Sequence, residues 1–569
     1  MIREVLLVFK THLDIGFTAY AADVKEKYIR EYIPAAIRVA RENEHTDHRF
    51  VWTTGSWLIA EALREDDGTL ASAIRDGLIA WHALPFTTHS EYMNSDLFAA
   101  GLSVAGELDA RFGRKTIAAK MTDVPGHTVG IVPILAAHGV ELLHIGVNPA
   151  TPVPEVPEIF RWKCGDASVI VMYSRDYGEI CEFGETALVF GFTGDNHGPQ
   201  GGEQLVSIYR SLQEKYPEAV IRAAALDDAA MALRGADLPV IEGEIGDSWI
   251  HGVGTDPTKT RGFRAILRSG KDLCGPELCD TLLPVPEHTW GMDLKTHFHN
   301  EKDWLPAEIE ACTEKEKIEK SWQEQRSYVY KAAEQLGVDI AGDMNVPFPD
   351  TSSMTPAEEL PRAGISYQLF DREDYERYRE KYLRLDCYWS QWDFLKIGLP
   401  EYKGGIYTPH VTGAWRDGET TVFRLAFEEE IRTFAGLPEL YLLESETYTE
   451  LRWFGKRPNR LPEAFWLRLP QITDHMELRK LDTWIRPETC LDAGNLHAVW
   501  AVRNDDWEIE TLDAPLAAPY GRNLLQWKNP RETQELYFNL YNNIWNTNFP
   551  MWFAEDAKFR FVIRSRKNG

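Results

Sequence analysis

The sequence predicts an α/β protein with a seven-stranded α/β barrel, followed by a helical region and a C-terminal domain like a β-sandwich. Two patterns support this fold class. Over the first 275 residues, short apolar runs alternate with amphipathic stretches, which is typical of strands that alternate with helices. From about residue 346 onward, short alternating runs are separated by Gly, Pro and Asp, which indicates β-sandwich structure.

Seven apolar runs in the first part have the length and composition of buried strands. They lie at residues 5–9, 48–54, 77–84, 116–122, 141–147, 187–193 and 220–226. Helical patterns lie between them at residues 24–40, 96–111, 130–138 and 203–216. Two further runs, 159–163 and 169–173, predict a β-hairpin inserted into a barrel loop.

The rest of the chain divides at its changes of pattern. Residues 259–271 and the charged, periodic stretch 305–336 predict helices. Residues 347–361 are rich in Pro, Ser and Thr and predict a linker. The predicted domains are therefore a catalytic barrel at 1–275, a helical region at 276–345 and a β-rich domain at 346–569.

Composition limits the binding partners and the cellular compartment that we expect for this protein. The 569 residues include 61 basic and 88 acidic side chains, and the net charge of −27 argues against nucleic acid or anionic membrane as a partner. Seven scattered cysteines do not suggest a disulfide framework and fit a reducing compartment. The apolar run Val5–Phe9 is too short for a signal peptide, so we expect a cytoplasmic protein. The sequence is compatible with either a monomer or a homo-oligomer.

The first strand leads directly into a motif with metal-binding side chains. His12 and Asp14 lie two residues apart, so in extended backbone they point the same way and can converge on one ion. The alternative is a capping Asp and a hydrogen-bonded His in a loop. Three other predicted strands also end in polar clusters, which begin at Asp123, Gly194 and Asp227. In parallel α/β barrels, residues at strand ends carry the chemistry.

With these motifs the first 300 residues resemble glycoside hydrolase family 38, the zinc-dependent α-mannosidases. The resemblance rests on His12-x-Asp14-x-Gly16-Phe17 and on Asp123-Val-Pro-Gly126-His127-Thr128. It implies that His12, Asp14 and Asp123 bind zinc, that Asp123 is also the nucleophile, and that Phe17 lies under the sugar. The implied cofactor is Zn²⁺ and the implied partner is a carbohydrate substrate.

The same resemblance implies the remaining site residues. His288, in Glu287-His288-Thr289-Trp290-Gly291, is the expected fourth zinc ligand, with His251 as the rival ligand and otherwise a pocket residue. Asp247 falls near the family's general acid, and Asp195 and Asp228 are the other candidates. Trp290 and Asp228 are candidate sugar contacts. Phe17 stands where the family has Trp, and Val147 or Asn148 where it has a sugar-binding Arg, so we expect an altered sugar preference.

The predicted function is an exo-acting, retaining, zinc-dependent glycoside hydrolase. Two His and two Asp with one open position suit Zn²⁺, which would hold two adjacent sugar hydroxyls. Retention requires the two catalytic carboxyl groups to lie about 5 to 5.5 Å apart, and inversion requires roughly 6.5 to 9.5 Å. The alternatives are a metal-dependent carbohydrate deacetylase, in which the metal activates water, and a non-catalytic carbohydrate-binding protein.

Overall fold

The computed structural model describes residues 1–178, 180–273, 275, 278–299, 301–384, 387–491, 496–522, 524–525 and 535–567. The chain folds into two compact units. Unit 1 comprises Met1–Ser90, Ser95–Gly243 and Asp272–Thr289. Unit 2 comprises Glu91–Asn94, Glu244–Lys271 and Trp290–Gly569. Among the described helices, none has the length and apolar character needed to cross a membrane.

Strands and helices alternate through unit 1. The strands are β1 (Glu4–Lys10), β2 (Trp52–Gly55), β3 (Ile79–His82), β4 (Ala118–Asp123), β5 (Leu142–Val147), β6 (Ile159–Cys164), β7 (Ala167–Ser174), β8 (Cys181–Phe183), β9 (Thr186–Gly191), β10 (Val220–Ala223) and β11 (Val240–Ile241). The helices are α1 (Ala21–Lys27), α2 (Ile33–Glu42), α3 (Ser56–Ala62), α4 (Thr69–Arg75), α5 (Ser95–Phe112), α6 (Ile131–Ala137), α7 (Gly202–Lys215) and α8 (Leu226–Ala232). A π-helical turn, Tyr28–Tyr32, joins α1 to α2.

Each of the seven predicted strands has a counterpart in unit 1, but among the described residues these strands lie in two separate sheets, so the predicted seven-stranded barrel is not confirmed. One sheet has the order β3-β2-β1-β9-β8, and β10 also pairs with β1. The other has the order β11-β6-β7-β5-β4. A backbone hydrogen bond of 2.9 Å from Ala83 to Ala118 links the end of β3 to the start of β4. No strand ladder among the described residues closes the two sheets into a barrel.

The predicted hairpin is present, but it is part of the sheet. β6 and β7 are antiparallel, and β7 also pairs in parallel with β5 from Leu142 to Gly146. The hairpin therefore supplies strands to the second sheet, and it is not an insertion in a loop. The core of unit 1 contains side chains from both sheets, among them Leu6, Val8 and Met172. The faces of both sheets are therefore covered by packed apolar side chains and shielded from water.

Unit 2 contains antiparallel sheets and a set of helices. Its helices are α9 (Pro257–Arg268), α10 (Leu294–His297), α11 (Pro306–Ala311), α12 (Glu316–Leu336), α13 (Ala341–Met344), α14 (Arg372–Tyr382), α15 (Ser390–Phe394) and α16 (Glu429–Ala435). The two main predicted helices, 259–271 and 305–336, correspond to α9 and to α11 with α12.

The strands of unit 2 form two antiparallel sheets. They are β12 (Thr355–Pro356), β13 (Gly364–Leu369), β14 (Gly405–Tyr407), β15 (His410–Asp417), β16 (Thr420–Ala426), β17 (Glu439–Glu444), β18 (Tyr448–Phe454), β19 (Glu463–Arg468), β20 (Glu477–Lys480), β21 (Thr483–Ile485), β22 (His497–Ala498), β23 (Ala501–Arg503), β24 (Trp507–Thr511), β25 (Leu516–Ala518), β26 (Tyr537–Asn542) and β27 (Ala557–Ser565). A ten-stranded sheet has the order β12-β15-β16-β17-β18-β27-β24-β23-β20-β21. A six-stranded sheet has the order β14-β13-β19-β26-β25-β22. Aromatic rings from the two sheets contact each other, as Trp453 and Phe465 do at 4.9 Å. The prediction of β structure after residue 346 is confirmed.

Candidate metal centre

Four predicted metal ligands meet at one end of the strands of unit 1. His12 and Asp14 follow β1, and Asp123 is the last residue of β4. His288 comes from a segment distant in sequence. Its amide donates a 3.3 Å hydrogen bond to the Thr87 carbonyl, which holds this segment in place. All four residues are buried. The fold therefore brings together residues that lie more than a hundred positions apart in the chain.

The ligand atoms of these four residues lie within 4.8 Å of one another. Asp14 Oδ1 is 3.2 Å from His12 Nε2 and 3.1 Å from His288 Nε2. His288 Nε2 is also 3.5 Å from Asp123 Oδ2. His288, and not its rival His251, is thus the second histidine in this group of four.

The donor set fits Zn²⁺. His12 Nε2, His288 Nε2 and Asp14 Oδ2 are buried and make no well-directed hydrogen bond among the described residues. Buried polar atoms normally have such a partner, so an ion bound between these side chains would satisfy all three atoms. Imidazole nitrogen and carboxylate oxygen are ligands that zinc takes.

The carboxylate of Asp123 is oriented through one of its oxygens. Asn148 Nδ2 donates a 2.9 Å hydrogen bond to Asp123 Oδ1, and the Tyr177 hydroxyl donates to the same oxygen. The other oxygen, Oδ2, faces His288. The backbone at Asp123 has φ 88°, a conformation that few residues other than Gly adopt. Strained backbone of this kind is often found at functional sites.

The loop that carries His12 and Asp14 is fixed by neighbouring side chains. Asn196 Oδ1 accepts a 3.0 Å hydrogen bond from the Asp14 amide, and its Nδ2 donates to the Asp14 and Gly16 carbonyls at 3.0 and 3.2 Å. The hydroxyl of Tyr28, in the π-helical turn, donates to the His12 carbonyl at 3.1 Å. π-helical turns inside α-helices are frequent at functional sites.

Glu287 orients the fourth ligand. Its Oε1 lies 2.6 Å from His288 Nδ1, and its Oε2 accepts a 2.9 Å hydrogen bond from the Thr289 amide. A carboxylate on the far nitrogen of a metal-binding histidine leaves Nε2 available for the metal.

Burial and charge act in opposite directions on the carboxylates of the site. Burial raises the pKa of Asp14, but the opposing interactions with His12 and His288 are larger in sum and hold it below its ordinary value. For Asp123, burial again raises the pKa, and interactions with His288 and His12 bring it below the ordinary value. Burial lowers the pKa of His288, but Glu287, Asp123 and Asp14 raise it well above normal. Both carboxylates are therefore ionised at neutral pH.

Asp195 lies beside the metal ligands. It forms a parallel β-bridge with His12, and its Oδ1 is buried without a hydrogen-bond partner among the described residues. Burial raises its pKa to about 6, with Asp14 and Asp123 adding to the effect and His12 and Lys10 opposing it.

The Asp228 side chain has a structural role at the N-terminus of α8. Its Oδ2 accepts a 2.9 Å hydrogen bond from the Ala225 amide, and its Oδ1 lies 3.1 Å from Arg222. The first contact caps the N-terminus of α8, and the second is an ion pair with a residue of β10. The predicted contact of Asp228 with a sugar, or its role as an acid, stays a prediction. Phe17 is half-buried and has φ 59°.

Three predicted site residues belong to unit 2. Asp247 Oδ1 accepts a 2.8 Å hydrogen bond from the Trp249 amide. The ring of His251 lies 4.3 Å from that of Trp545. The ammonium group of Lys259 lies 3.7 Å from the ring centre of the buried Trp290. Their predicted roles at the catalytic site stay predictions.

Some neighbours of Asp123 and Asp14 could not be found from sequence patterns. Tyr177 follows the β6–β7 hairpin with no motif around it, and Asn196 follows Asp195 in a loop. Asn148 was one of two residues, with Val147, that could stand where the family has an arginine. Each acts by hydrogen bonding to a segment distant in sequence, and only the folded chain brings such segments together.

Comparison with known proteins supports the fold that the sequence motifs indicated. DUF5054, a domain of unknown function, matches residues 253–359. No curated protein matches the chain. An alpha-mannosidase from Enterococcus faecalis V583 has a similar structure, with a TM-score of 0.60 and 8% identity over 99% of this chain and 87% of that chain. A protein in glycosyl hydrolase family 38 from Enterococcus faecalis has a TM-score of 0.56 and 8% identity over 100% of this chain and 86% of that one. The chain therefore has a fold similar to that of family 38 structures, as its two motifs indicated.

Proposed function

We propose that this protein is a zinc-dependent glycoside hydrolase, α-mannosidase-like, retaining and exo-acting, with an altered sugar preference. The observation that supports this most is the buried group of His12, Asp14, Asp123 and His288, whose ligand atoms lie within 4.8 Å of one another. It occurs in a chain whose fold is similar to that of an alpha-mannosidase.

The four residues would hold the metal, and Asp123 would have a second role. A bound Zn²⁺ would supply charge stabilisation and a template for two adjacent sugar hydroxyls. Asp123 is the nucleophile in this proposal, because it is ionised, buried and held through Oδ1 by Asn148 and Tyr177. Preorganised hydrogen bonds of this kind reduce the reorganisation needed during the reaction.

Asp195 is our first candidate for the general acid. It lies in unit 1 beside His12, and one of its oxygens is buried without a partner among the described residues. A general acid must retain its proton near neutral pH, which a buried environment favours. Asp247 stays the second candidate on the strength of the family resemblance.

Phe17 would provide the apolar surface under the sugar ring. Aromatic faces suit the apolar faces of sugars. The change from the family's Trp to Phe17, and the presence of Val147 or Asn148 where the family has an Arg, support a substrate other than the usual mannoside.

The test measures hydrolysis of a panel of 4-nitrophenyl α- and β-glycosides, mannosides included, by zinc-loaded protein. Asp123→Asn is the decisive variant, since Asn tolerates positive φ better than Ala does. We expect it to lose turnover by roughly 10⁴-fold or more. Asp166→Asn, at the exposed turn of the hairpin, is the matched control and should keep full activity.

Two other outcomes would replace the proposal. Release of acetate from acetylated sugars, with no glycoside cleavage, would indicate a deacetylase. Sugar binding without any product would indicate a binding protein. If Asp123→Asn kept full glycosidase activity, the proposed nucleophile would be wrong.

A further inference from the structure

A second group of metal-binding side chains lies in unit 2. His299, Asp303 and Cys312 each present one ligand atom, and these atoms lie within 4.8 Å of one another. His299 Nε2 is 2.9 Å from Asp303 Oδ2 and 4.0 Å from Cys312 Sγ. Imidazole, carboxylate and thiolate are the three side-chain ligands that zinc uses in proteins.

A fourth ligand is within reach. Glu314 Oε2 lies 3.6 Å from His299 Nε2, and Glu314 Oε1 lies 3.5 Å from the ammonium group of Lys302. The Glu314 side chain is 60% exposed, so packing does not fix its rotamer. Together with the other three side chains it would give four ligands, the coordination number of structural zinc sites.

The loop that carries these ligands is held by contacts outside the ligand atoms. Arg460 Nη1 donates a 2.8 Å hydrogen bond to the Lys302 carbonyl, and the Arg460 amide donates to the Trp304 carbonyl at 3.0 Å. The guanidinium carbon lies 4.7 Å from the ring centre of Trp304 and 5.1 Å from that of Phe298. A loop ordered in advance loses less conformational entropy when it binds an ion.

A simple ion pair explains only part of this arrangement. His299 and Asp303 would pair on the surface of many proteins without a metal. A pair does not account for the thiol of Cys312, which lies on the same side of the imidazole, or for the approach of Glu314 to the same nitrogen. Since softness and geometry select the metal, a set with one thiolate, one imidazole and two carboxylates favours Zn²⁺ over Mg²⁺ or Ca²⁺.

We propose that His299, Asp303 and Cys312, with Glu314 in the fourth position, form a second zinc site that fastens this loop to the start of α12. On binding, the Cys312 thiol loses its proton to solvent as the metal–sulfur bond forms. A four-ligand site leaves no open position, so its role is structural. The proposal does not depend on the glycosidase function, because no ligand is shared with the group in unit 1.

Cobalt provides the test, because thiolate ligands give Co²⁺ an intense charge-transfer absorption in the near ultraviolet. The His12, Asp14, Asp123 and His288 group contains no sulfur and cannot produce it. We expect metal-free protein titrated with Co²⁺ to develop this band, and Cys312→Ser to lose it. In the zinc-loaded protein, Cys312→Ser should also lose about one zinc per chain. Cys164→Ser, at the end of β6, is the matched control and should retain both.

Two further variants separate this proposal from the one above. His12→Ala should lose metal in unit 1 but keep the charge-transfer band, so failure of the glycosidase proposal leaves this result intact. If Cys312→Ser does not fold, judged by circular dichroism, His299→Ala replaces it and should weaken Co²⁺ binding at the sulfur site. The absence of the band at saturating Co²⁺, or its persistence in both variants, would overturn the proposal.

Discussion

Oε1 of Glu287 lies 2.6 Å from Nδ1 of His288, and both side chains are fully or almost fully buried. This contact pairs the Glu287 carboxylate with the imidazole nitrogen on the far side of the ring from Asp14 and Asp123. His288 Nε2 is then directed at Asp14 and Asp123, at 3.1 and 3.5 Å. The affinity of the site for metal should therefore depend on a residue that does not itself bind the ion.

Glu287→Gln tests this dependence. We expect the variant to bind zinc about 10- to 100-fold more weakly, because the amide holds the imidazole orientation less well and lowers its basicity. Competition with a chromophoric chelator measures the affinity. Glu203→Gln, at an exposed position of α7, is the control. Equal affinities in all three proteins would show that Glu287 does not tune His288.

Tyr177→Phe removes one of the two hydrogen bonds to Asp123 Oδ1. A hydrogen bond to a charged group contributes about 1.5 to 3 kcal/mol, so we expect turnover to fall roughly 10- to 100-fold. Steady-state kinetics on the best aryl glycoside measures the effect. Tyr216→Phe removes a hydroxyl that donates to Glu182 elsewhere in unit 1, and should leave turnover unchanged. An unaffected rate in Tyr177→Phe would mean that Asn148 alone orients the nucleophile.

The general acid can be identified from leaving groups. Asp195→Asn should slow substrates with poor leaving groups far more than substrates with good ones, because only the former need a proton in the transition state. The same comparison with Asp247→Asn provides the alternative. The general acid is the residue whose variant loses more activity as the leaving-group pKa rises. A variant that loses the same activity on all substrates excludes its residue as the acid.

Lys480 forms a buried ion cluster in unit 2. Its ammonium group lies 2.7 Å from both Glu91 and Glu244, and all three side chains are at most 1% exposed. Lys480→Met leaves two buried carboxylates without their cation, so we expect the free energy of unfolding to fall by about 3 to 5 kcal/mol. Urea denaturation measures it. Lys567→Met, which breaks an exposed pair with Asp506, should change stability by less than about 1 kcal/mol.

The same cluster predicts a pH dependence. Burial raises the pKa of Glu91 from 4.5 to about 7, with Glu244 and Asp247 adding to the effect and Lys480 opposing it. A carboxyl with a raised pKa in the folded state contributes stability below pH 4.5, and this contribution is lost as the pH rises through about 7. Glu91→Gln cannot ionise, so its stability relative to the wild type should increase between pH 5 and pH 8. Urea midpoints at the two pH values give the comparison, and a constant difference would contradict it.

The strands of unit 1 could be predicted because each is a short apolar run between polar segments. Their pairing could not. A seven-stranded barrel was expected from seven strands in α/β order, but β7 of the hairpin pairs with β5 and is part of the second sheet. Which strands pair depends on packing between segments that lie far apart in the sequence. The division into domains at 275 and 345 stays a prediction.

The residues of the candidate metal site were predictable to different extents. His12 and Asp14 share a local pattern, because residues two apart in extended backbone point the same way. Asp123 stood out as the start of a polar cluster at a strand end, but its role as a ligand came from the resemblance to a family motif. His288 was found only through that resemblance, since nothing in its local pattern relates it to His12. Tyr177 and Asn196 were missed because polar residues in loops are common and their partners lie far away in sequence.

The position of β1 has a consequence for how a bound metal would affect amide exchange. β1 pairs with β9 along one edge, and with β10 and β2 along the other. Amide protons in a strand enclosed in this way exchange with solvent mainly when the whole unit opens, whereas fraying of loops exposes only the periphery. Two of the four ligands directly follow this strand. Opening of β1 would displace both ligands, so bound metal should slow amide exchange along this strand.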